Sequence, residues 1–408
     1  MSKQQEFDVI IVGGGMVGAS LACALASLPL KIAIIEAFPF KSNSQPSYDA
    51  RSIALAYGSK RIFSSLNIWQ DLKDESTPIK QIHISNKGQF GVTRLNSKDE
   101  SLDALGYVIE NRILGNALLK KIDSHNNIEL ICPAKLSALT IDNETATVSI
   151  EKNNDTIQLL CKLIIGADGG NSKVREILDI TTKNKDYKQT AIISNVTPSK
   201  PHNNIAYERF TAQGPIAILP MTDNRCSLVL TVEKEHEEEI LALNDKDFLH
   251  YLEQRFGFRC GGFVKTSKRH AYPLTLMQIN EHYKSRAVII GNAAHTLHPI
   301  AGQGFNLGIR DVSVLADVIA NACKKGVDIG DQSILKKYAE LRSSDQKTVA
   351  LITDSLAQIF SNELFPLTKI RAKGLVVTDL LPPVKHLLAK HAMGLNGKLP
   401  RLSRGLAL

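Results

Sequence analysis

Three glycines at fixed spacing, set between an apolar strand and a small-residue helix, constrain this chain more than any other feature. Phe7–Val12 (FDVIIV) is a near-continuous apolar run of the kind buried on both faces of a parallel sheet. Gly13-x-Gly15-x-x-Gly18 follows, then Ala19–Leu28, rich in Ala and Leu and stopped by Pro29, then the strand Leu30–Ile35 and Glu36. This is a βαβ unit. Gly13 makes the tight turn, Gly15 leaves room for a pyrophosphate, and Gly18 lets helix and strand approach; the helix-start N–H groups favour phosphate charge. Glu36 can accept both hydroxyls of an adenosine ribose and would repel a 2′-phosphate. The unit alone leaves FAD and NAD both open.

Two further stretches point to the same cleft. Gly166-Ala-Asp168-Gly169 ends the buried strand Leu163–Ala167, which sets a carboxylate and a bare backbone at the carboxyl edge of a sheet, where α/β folds bind ligands. The run from Gly291 to Gly308 starts at a strand end, carries His295, His298, Pro299, Gly302, Gln303 and Gly304, and enters a helix whose first turn holds Asn306. Such a loop offers backbone donors and little side-chain bulk beside a planar ligand, and helix-start N–H groups there can stabilise negative charge on a reduced cofactor.

The remaining pattern predicts an α/β chain: a Rossmann-type domain with a parallel sheet, interleaved with a mixed β-sheet domain and followed by a helical region. Segments 1–75, 106–184 and 271–330 are expected to form a discontinuous nucleotide domain. Segments 76–105 and 185–270 are expected to form the substrate domain, and 331–408 a helical, basic C-terminal region. Helices are expected over Ser52–Trp69, Arg112–Ser124 and Asp245–Phe256, and a hairpin from Ile216–Leu219 to Ser227–Val232. With 408 residues, 43% hydrophobic and 22% charged, the chain is composed as a folded enzyme of two or three domains.

The six cysteines form no CxxC pair, against a zinc ribbon or disulfide scaffold and in favour of a cytoplasmic setting. Met1–Glu6 is a polar stub without signal-peptide character, and no window is apolar enough to span a bilayer. The net charge of +8 has a location: Ile370–Leu408 holds seven basic residues (Arg371, Lys373, Lys385, Lys390, Lys398, Arg401, Arg404) against Asp379. Apolar stretches with interspersed cations suit either a closing amphipathic helix or the inner face of a membrane. Without aromatic residues in this tail, nucleic acid is not an expected partner.

Together the three motifs resemble the FAD-dependent aromatic-ring hydroxylases of the p-hydroxybenzoate-hydroxylase fold. Asp49-x-Arg51-x-x-Ala54-Leu55, Leu66-Asn-Ile-Trp69 and HTLHPIAGQGFNLGIRD (His295–Asp311) narrow the resemblance to the ubiquinone-biosynthesis hydroxylases. Gly291-Asn292, where most of the fold has Gly-Asp, is similar to the 2-polyprenyl-6-methoxyphenol hydroxylase branch.

The resemblance implies FAD as cofactor and NAD(P)H as co-substrate, docking transiently, since no second GxGxxG is present. It implies that oxygen adds at flavin C4a and passes to an electron-rich carbon of a polyprenylated phenol, a 2-polyprenyl-6-methoxyphenol. Glu36 would hold the ribose, Arg51 and Arg112 would lie along the FAD, and Asp168 would sit near the pyrophosphate. Asn292 would replace the aspartate at the ribityl–phosphate part. Gly302, Gly304 and Asn306 would complete the cofactor site, with Pro299 and Gln303 beside the isoalloxazine. His298, with His295 near it, and Tyr207 in the substrate sheet are candidates to accept or polarise the phenol proton. A partner in a ubiquinone-biosynthesis complex, or peripheral membrane contact, would deliver so apolar a substrate. A hydroxylase for another ring position and a non-catalytic carrier of prenylated ligands are the competing readings.

Overall fold

A computed structural model describes residues 5–39, 51–361 and 374–408. Asp49, Arg371, Lys373 and the first four residues of the polar stub lie outside the described residues.

The strand Gln5–Val12 lies inside a sheet whose order runs Tyr283–Lys284, Ala287–Ile289, Asp155–Gly166, Gln5–Val12, Ile32–Ile35, Ile128–Ile131. Its four inner pairings are parallel, with Val12 in register with both Gly166 and Ile35. Val9–Val12 are buried because both faces are covered. Helices Met16–Leu25, Asn111–Asp123 and Gln303–Lys325 pack on one face around Leu21, Leu118 and Leu315. The hairpin Lys135–Ile141/Ala146–Lys152 covers the other through Leu139, Val148 and Ile150.

A second sheet runs His295–Thr296, His270–Ile279, Thr182–Pro198, Cys226–Glu233, Ile216–Pro220, Ile205–Phe210, Gln81–Asn86, Val92–Asn96. The strands Ile216–Pro220 and Cys226–Glu233 are the antiparallel pair the turn at Thr222–Arg225 calls for. One face is closed by helices Glu237–Ala242 and Asp245–Phe256, with Ile218, Leu228, Phe248 and Phe256 in the core. The other face looks toward a small three-stranded sheet (Ser52–Ala56, Gly106–Glu110, Thr77–Ile79) and the turn at Ile300: Ala206 and Met221 pack with Ile79 and Val108, and Phe210 with Ile300.

One expected element differs. Ser52–Ala56 is a strand, paired antiparallel with Gly106–Glu110, and the helix begins only at Tyr57. Alternation in Ser-Ile-Ala-Leu-Ala is compatible with either period, and an available partner strand decided it. Long helices Gln303–Lys325 and Gln332–Ser361, and then Pro382–Ala392, make the C-terminal part helical. Among the described residues no helix is long and apolar enough to cross a membrane.

Candidate active site

The glycine turn is closed by backbone geometry that only glycine permits. Gly13 has φ +105, and a Cβ there would strike the Ala167 carbonyl and lie 2.8 Å from the Asp168 Cα. A Cβ on Gly18 would collide with the Gly13 carbonyl, so helix Met16–Leu25 rides on the turn itself. The Gly13 N–H donates to Ile35 O (2.8 Å), and the Gly14 N–H donates to Glu36 Oε2 (2.7 Å). Glu36 Oε1 accepts from the Phe38 N–H (2.9 Å). Its carboxylate is thus fixed at the end of the second strand by two amides, with lone pairs left for hydroxyl donors.

Asp168 meets this turn from the neighbouring strand. Its Oδ2 accepts from the Lys173 and Val174 N–H groups (2.7 and 3.2 Å), while its buried Oδ1 has no partner among the described residues. Burial pushes its carboxyl above the ordinary carboxylate range, against the pull of its hydrogen bonds to Ser172 and the helix start. Arg175, to which the sequence assigned no role, ties this corner to the third motif: Nη1 donates to Ala293 O (2.8 Å) and Nη2 to Gly170 O (2.6 Å).

Gly291 closes the triangle. It has φ +61, and the space of its missing Cβ is taken by Val17; the same valine fills the space at Gly308. The three motifs are therefore mutual neighbours. Asn292 beside it is exposed. Downstream, Pro299 O accepts from the Gly302 N–H (3.0 Å), and Gly302 sits at φ +59 with the position of its missing Cβ 3.4 Å from Ala54. Nothing approaches Gly304 within 4 Å of where a Cβ would be, so the loop is open there. Gln303 Nε2 reaches the C-terminal helix at Ala392 O (3.3 Å).

Asn306, expected at the cofactor, turns its side chain the other way. Oδ1 accepts from the Ala56 N–H and Ser59 Oγ, and Nδ2 donates to Ala54 O and Gly302 O, each at 2.8 Å. All the bonding capacity of this buried amide holds the loop against strand Ser52–Ala56.

His295 and His298 diverge as sharply. His295 Nε2 donates to Asp311 Oδ2 (2.7 Å). Asp311 is fully buried and also accepts from the Gly291 N–H (3.0 Å), Arg342 Nε (2.7 Å) and Gln346 Nε2 (2.8 Å). Burial opposes the charge, but the Arg342 guanidinium and His295 hold the Asp311 carboxyl well below the usual range. His298 is 1% exposed and neither ring nitrogen has a hydrogen-bond partner among the described residues. Burial pulls its pKa down to about 4, so the ring is neutral at neutral pH. Tyr187 stands edge-on to it at 5.1 Å, its hydroxyl donating to Asp354 (2.8 Å).

Arg51 and Arg112 come to one end of the small sheet, where the Asn111 N–H donates to Arg51 O (2.7 Å). The Arg51 guanidinium lies over the Tyr272 ring (4.9 Å). Arg112 Nε donates to Glu110 Oε2 (2.6 Å), whose other oxygen takes Arg225 (2.9 Å). Glu110 and Arg225 carried no sequence signal beyond their charge.

Tyr207 corrects an expectation. It pairs in register with Ile218 and His83 and packs edge-on to Phe256 (5.6 Å), on the helix-covered face. Its neighbours Ala206 and Phe210, of opposite parity, face the small sheet and the turn at Ile300. Burial, with Cys260 beside it, pushes its phenol up to about 12. Reading a strand without its register cannot assign its faces.

A long dinucleotide fits this geometry: phosphates at the helix start by Gly15, an unpartnered carboxyl oxygen at Asp168, and a bare loop at Gly304 for a planar ring. That defines a nucleotide-dependent oxidoreductase, and the comparisons narrow it. The FAD binding domain family matches residues 6–350. Ubiquinone hydroxylase UbiL of Rhodospirillum rubrum is 37% identical, covering 100% of this chain and 95% of its own. The 3-demethoxyubiquinol 3-hydroxylase of Escherichia coli is 31% identical over 96% of this chain and 99% of its own. Among solved structures, the p-nitrophenol 4-monooxygenase PnpA of Pseudomonas putida superposes with a TM-score of 0.80 at 15% identity, covering 97% of this chain and 100% of that one. The chain belongs to the FAD binding domain family, among its ubiquinone-biosynthesis hydroxylases. It is a flavin-dependent monooxygenase with FAD as its cofactor.

Proposed function

We propose that the substrate is a polyprenylated phenol, a 2-polyprenyl-6-methoxyphenol, hydroxylated in the cytoplasm at the expense of NAD(P)H and O₂. Bound FAD supplies the oxygen activation, at its C4a position. Glu36 binds the adenosine ribose, the Gly13–Gly18 turn and Asp168 flank the pyrophosphate, and Asn292 bonds the ribityl–phosphate part without adding charge. Arg51 and Arg112 line the cofactor from the small sheet. Pro299, Gly302, Gln303 and Gly304 shape the wall beside the ring, Asn306 clamps that wall, and the apolar pair Phe210–Ile300 helps exclude water. His298, neutral and without a hydrogen-bond partner among the described residues, accepts a hydrogen bond from the phenol, which polarises its O–H and raises the nucleophilicity of the ring; with a pKa of about 4 it is too weak a base to take the proton.

The observation that carries the reading is the meeting of three motifs around one open loop in a chain similar over its whole length to ubiquinone hydroxylases. A second reading, hydroxylation at another ring position, is favoured by the likeness to the 3-demethoxyubiquinol 3-hydroxylase. The non-catalytic carrier is disfavoured because an open glycine loop gives a carrier nothing. Deleting the gene in its host and identifying the accumulated precursor separates them. A prenylated methoxyphenol supports the first reading, a demethoxyubiquinol-type precursor the second. Purified protein without flavin after FAD reconstitution, or without phenol-stimulated NAD(P)H oxidation, would sink both.

A further inference from the structure

Two C-terminal helices turn apolar side chains to water. Residues 374–380 are helical, the backbone becomes extended at Leu381 (φ −102, ψ 99), and a second helix, Pro382–Ala392, begins there; Leu381 N–H donates to Val377 O and Lys385 N–H to Leu381 O, both 3.0 Å, across the junction. One side is tied to the edge strand of the second sheet by polar contacts. Thr93 Oγ1 donates to Leu375 O (2.9 Å), the Arg94 N–H donates to Asp379 Oδ1 (2.8 Å), and His386 pairs with Glu100 (2.6 Å). Ala389 and Met393 pack with Leu95 and Leu105 beneath it. On the outside, Val377, Leu380, Leu381, Val384 and Leu387 are exposed along the two helices and their junction, with Leu380 71% and Leu387 65% exposed. At the tip of the adjoining hairpin, Phe90 is 90% exposed beside the exposed Lys87.

An apolar stripe held outward by a polar tether needs an occupant. Charge selects among the candidates. Residues 370–408 carry seven cations against one carboxylate, and the exposed Lys390 and Arg404 lie in the described part. A second copy of the chain would bring the same cations face to face, whereas an anionic lipid surface would neutralise them. The far end of the helix reaches the site: Ala392 O accepts from Gln303, and Met393 O accepts from the Gly58 N–H (2.9 Å).

We infer that the stripe Val377–Leu387, with Phe90, docks on the headgroup region of an anionic bilayer and brings the wall around Gln303 to a lipid-dissolved substrate. The delivery part rests on the polyprenyl-phenol reading; the docking part does not.

The test spins the flavin-loaded full chain with vesicles of phosphatidylcholine alone or with about 30% phosphatidylglycerol. We expect binding about 10-fold or more tighter to the anionic vesicles and weaker in salt. The double variant Leu380→Ser, Leu387→Ser should keep its flavin and its turnover of a short-tailed soluble phenol, yet bind anionic vesicles at least about 30-fold more weakly. Should that variant lose its flavin, Lys390→Glu gives an independent measure: about 5-fold weaker binding with a shallower salt dependence. The inference is overturned if the wild type stays in solution with both vesicles, or if neither variant loses binding. It is equally overturned if the wild type runs as a dimer that the serine variant dissociates, because a second copy then covers the stripe. Vesicle binding without turnover of any polyprenyl phenol would strike down the substrate reading and leave the docking face standing.

Discussion

His295 and His298 stand three residues apart in one loop, both buried, and their surroundings assign them opposite work. His295 is one arm of a carboxylate cluster in which every oxygen of Asp311 is spoken for. His298 has an aromatic edge for a neighbour and no hydrogen-bond partner among the described residues. Depth of burial therefore says little about function in this loop; what separates the two is that His295 commits Nε2 to a buried counter-charge, its Nδ1 being as unpartnered among the described residues as both nitrogens of His298.

The comparison can be broken most forcefully at Asp311. Asp311→Ala leaves His295 without its buried counter-charge and Arg342 with only the partly exposed Asp345 (2.6 Å), and should lower stability by about 3–5 kcal/mol in thermal or denaturant melts. A loss under about 1 kcal/mol would mean that the cluster is not holding the loop.

Next comes pH. The folded pKa of His298, about 4, lies below its ordinary value, so the unfolded chain binds more protons between the two. Native stability should accordingly fall by roughly 3 kcal/mol as pH drops from about 6.5 to about 4. Asp311, held below the usual carboxylate range, loses its contribution only below about pH 4. Melts across pH 4–7 of wild type and His298→Phe should differ in slope, the variant being flatter.

At neutral pH the same His298→Phe change should leave stability within about 1 kcal/mol, since it removes two unpartnered nitrogens. Phenol-stimulated turnover should nevertheless fall about 10-fold if the ring accepts the phenol's hydrogen bond. Unchanged turnover would return His298 to the structural class of His295. Asn306→Ala should cost about 1–3 kcal/mol by stripping partners from Ala54, Ala56 and Gly302. The smallest effect is expected at Tyr207. Tyr207→Phe should change turnover by less than about 2-fold, because its hydroxyl sits on the helix-covered side of the second sheet.

The parts legible in the sequence are those where backbone geometry dictates residue type. Gly13, Gly18 and Gly291 are forced by collisions that any side chain would cause, so spacing alone announces them. The buried strands Gln5–Val12 and Asp155–Gly166 were readable because both faces need apolar residues. Asn306, Arg175 and Asp311 were not legible in their observed roles, because a polar residue does not disclose which distant backbone it will satisfy. Tyr207 failed for want of strand register, and Ser52–Ala56 for want of a visible partner strand. Asn306, Arg175 and strand Ser52–Ala56 depend on contacts across 50 to 250 positions, and Asp311 on contacts 16 to 35 positions away, which local pattern does not encode.

The order of strands in the nucleotide sheet also has a meaning for biogenesis. Gln5–Val12 is made well before the strand beside it, Asp155–Gly166, and Ala287–Ile289 on that strand's other side is made later still. Until that last strand is synthesised, the nascent chain carries an unfinished apolar edge, for which chaperones and proteases compete.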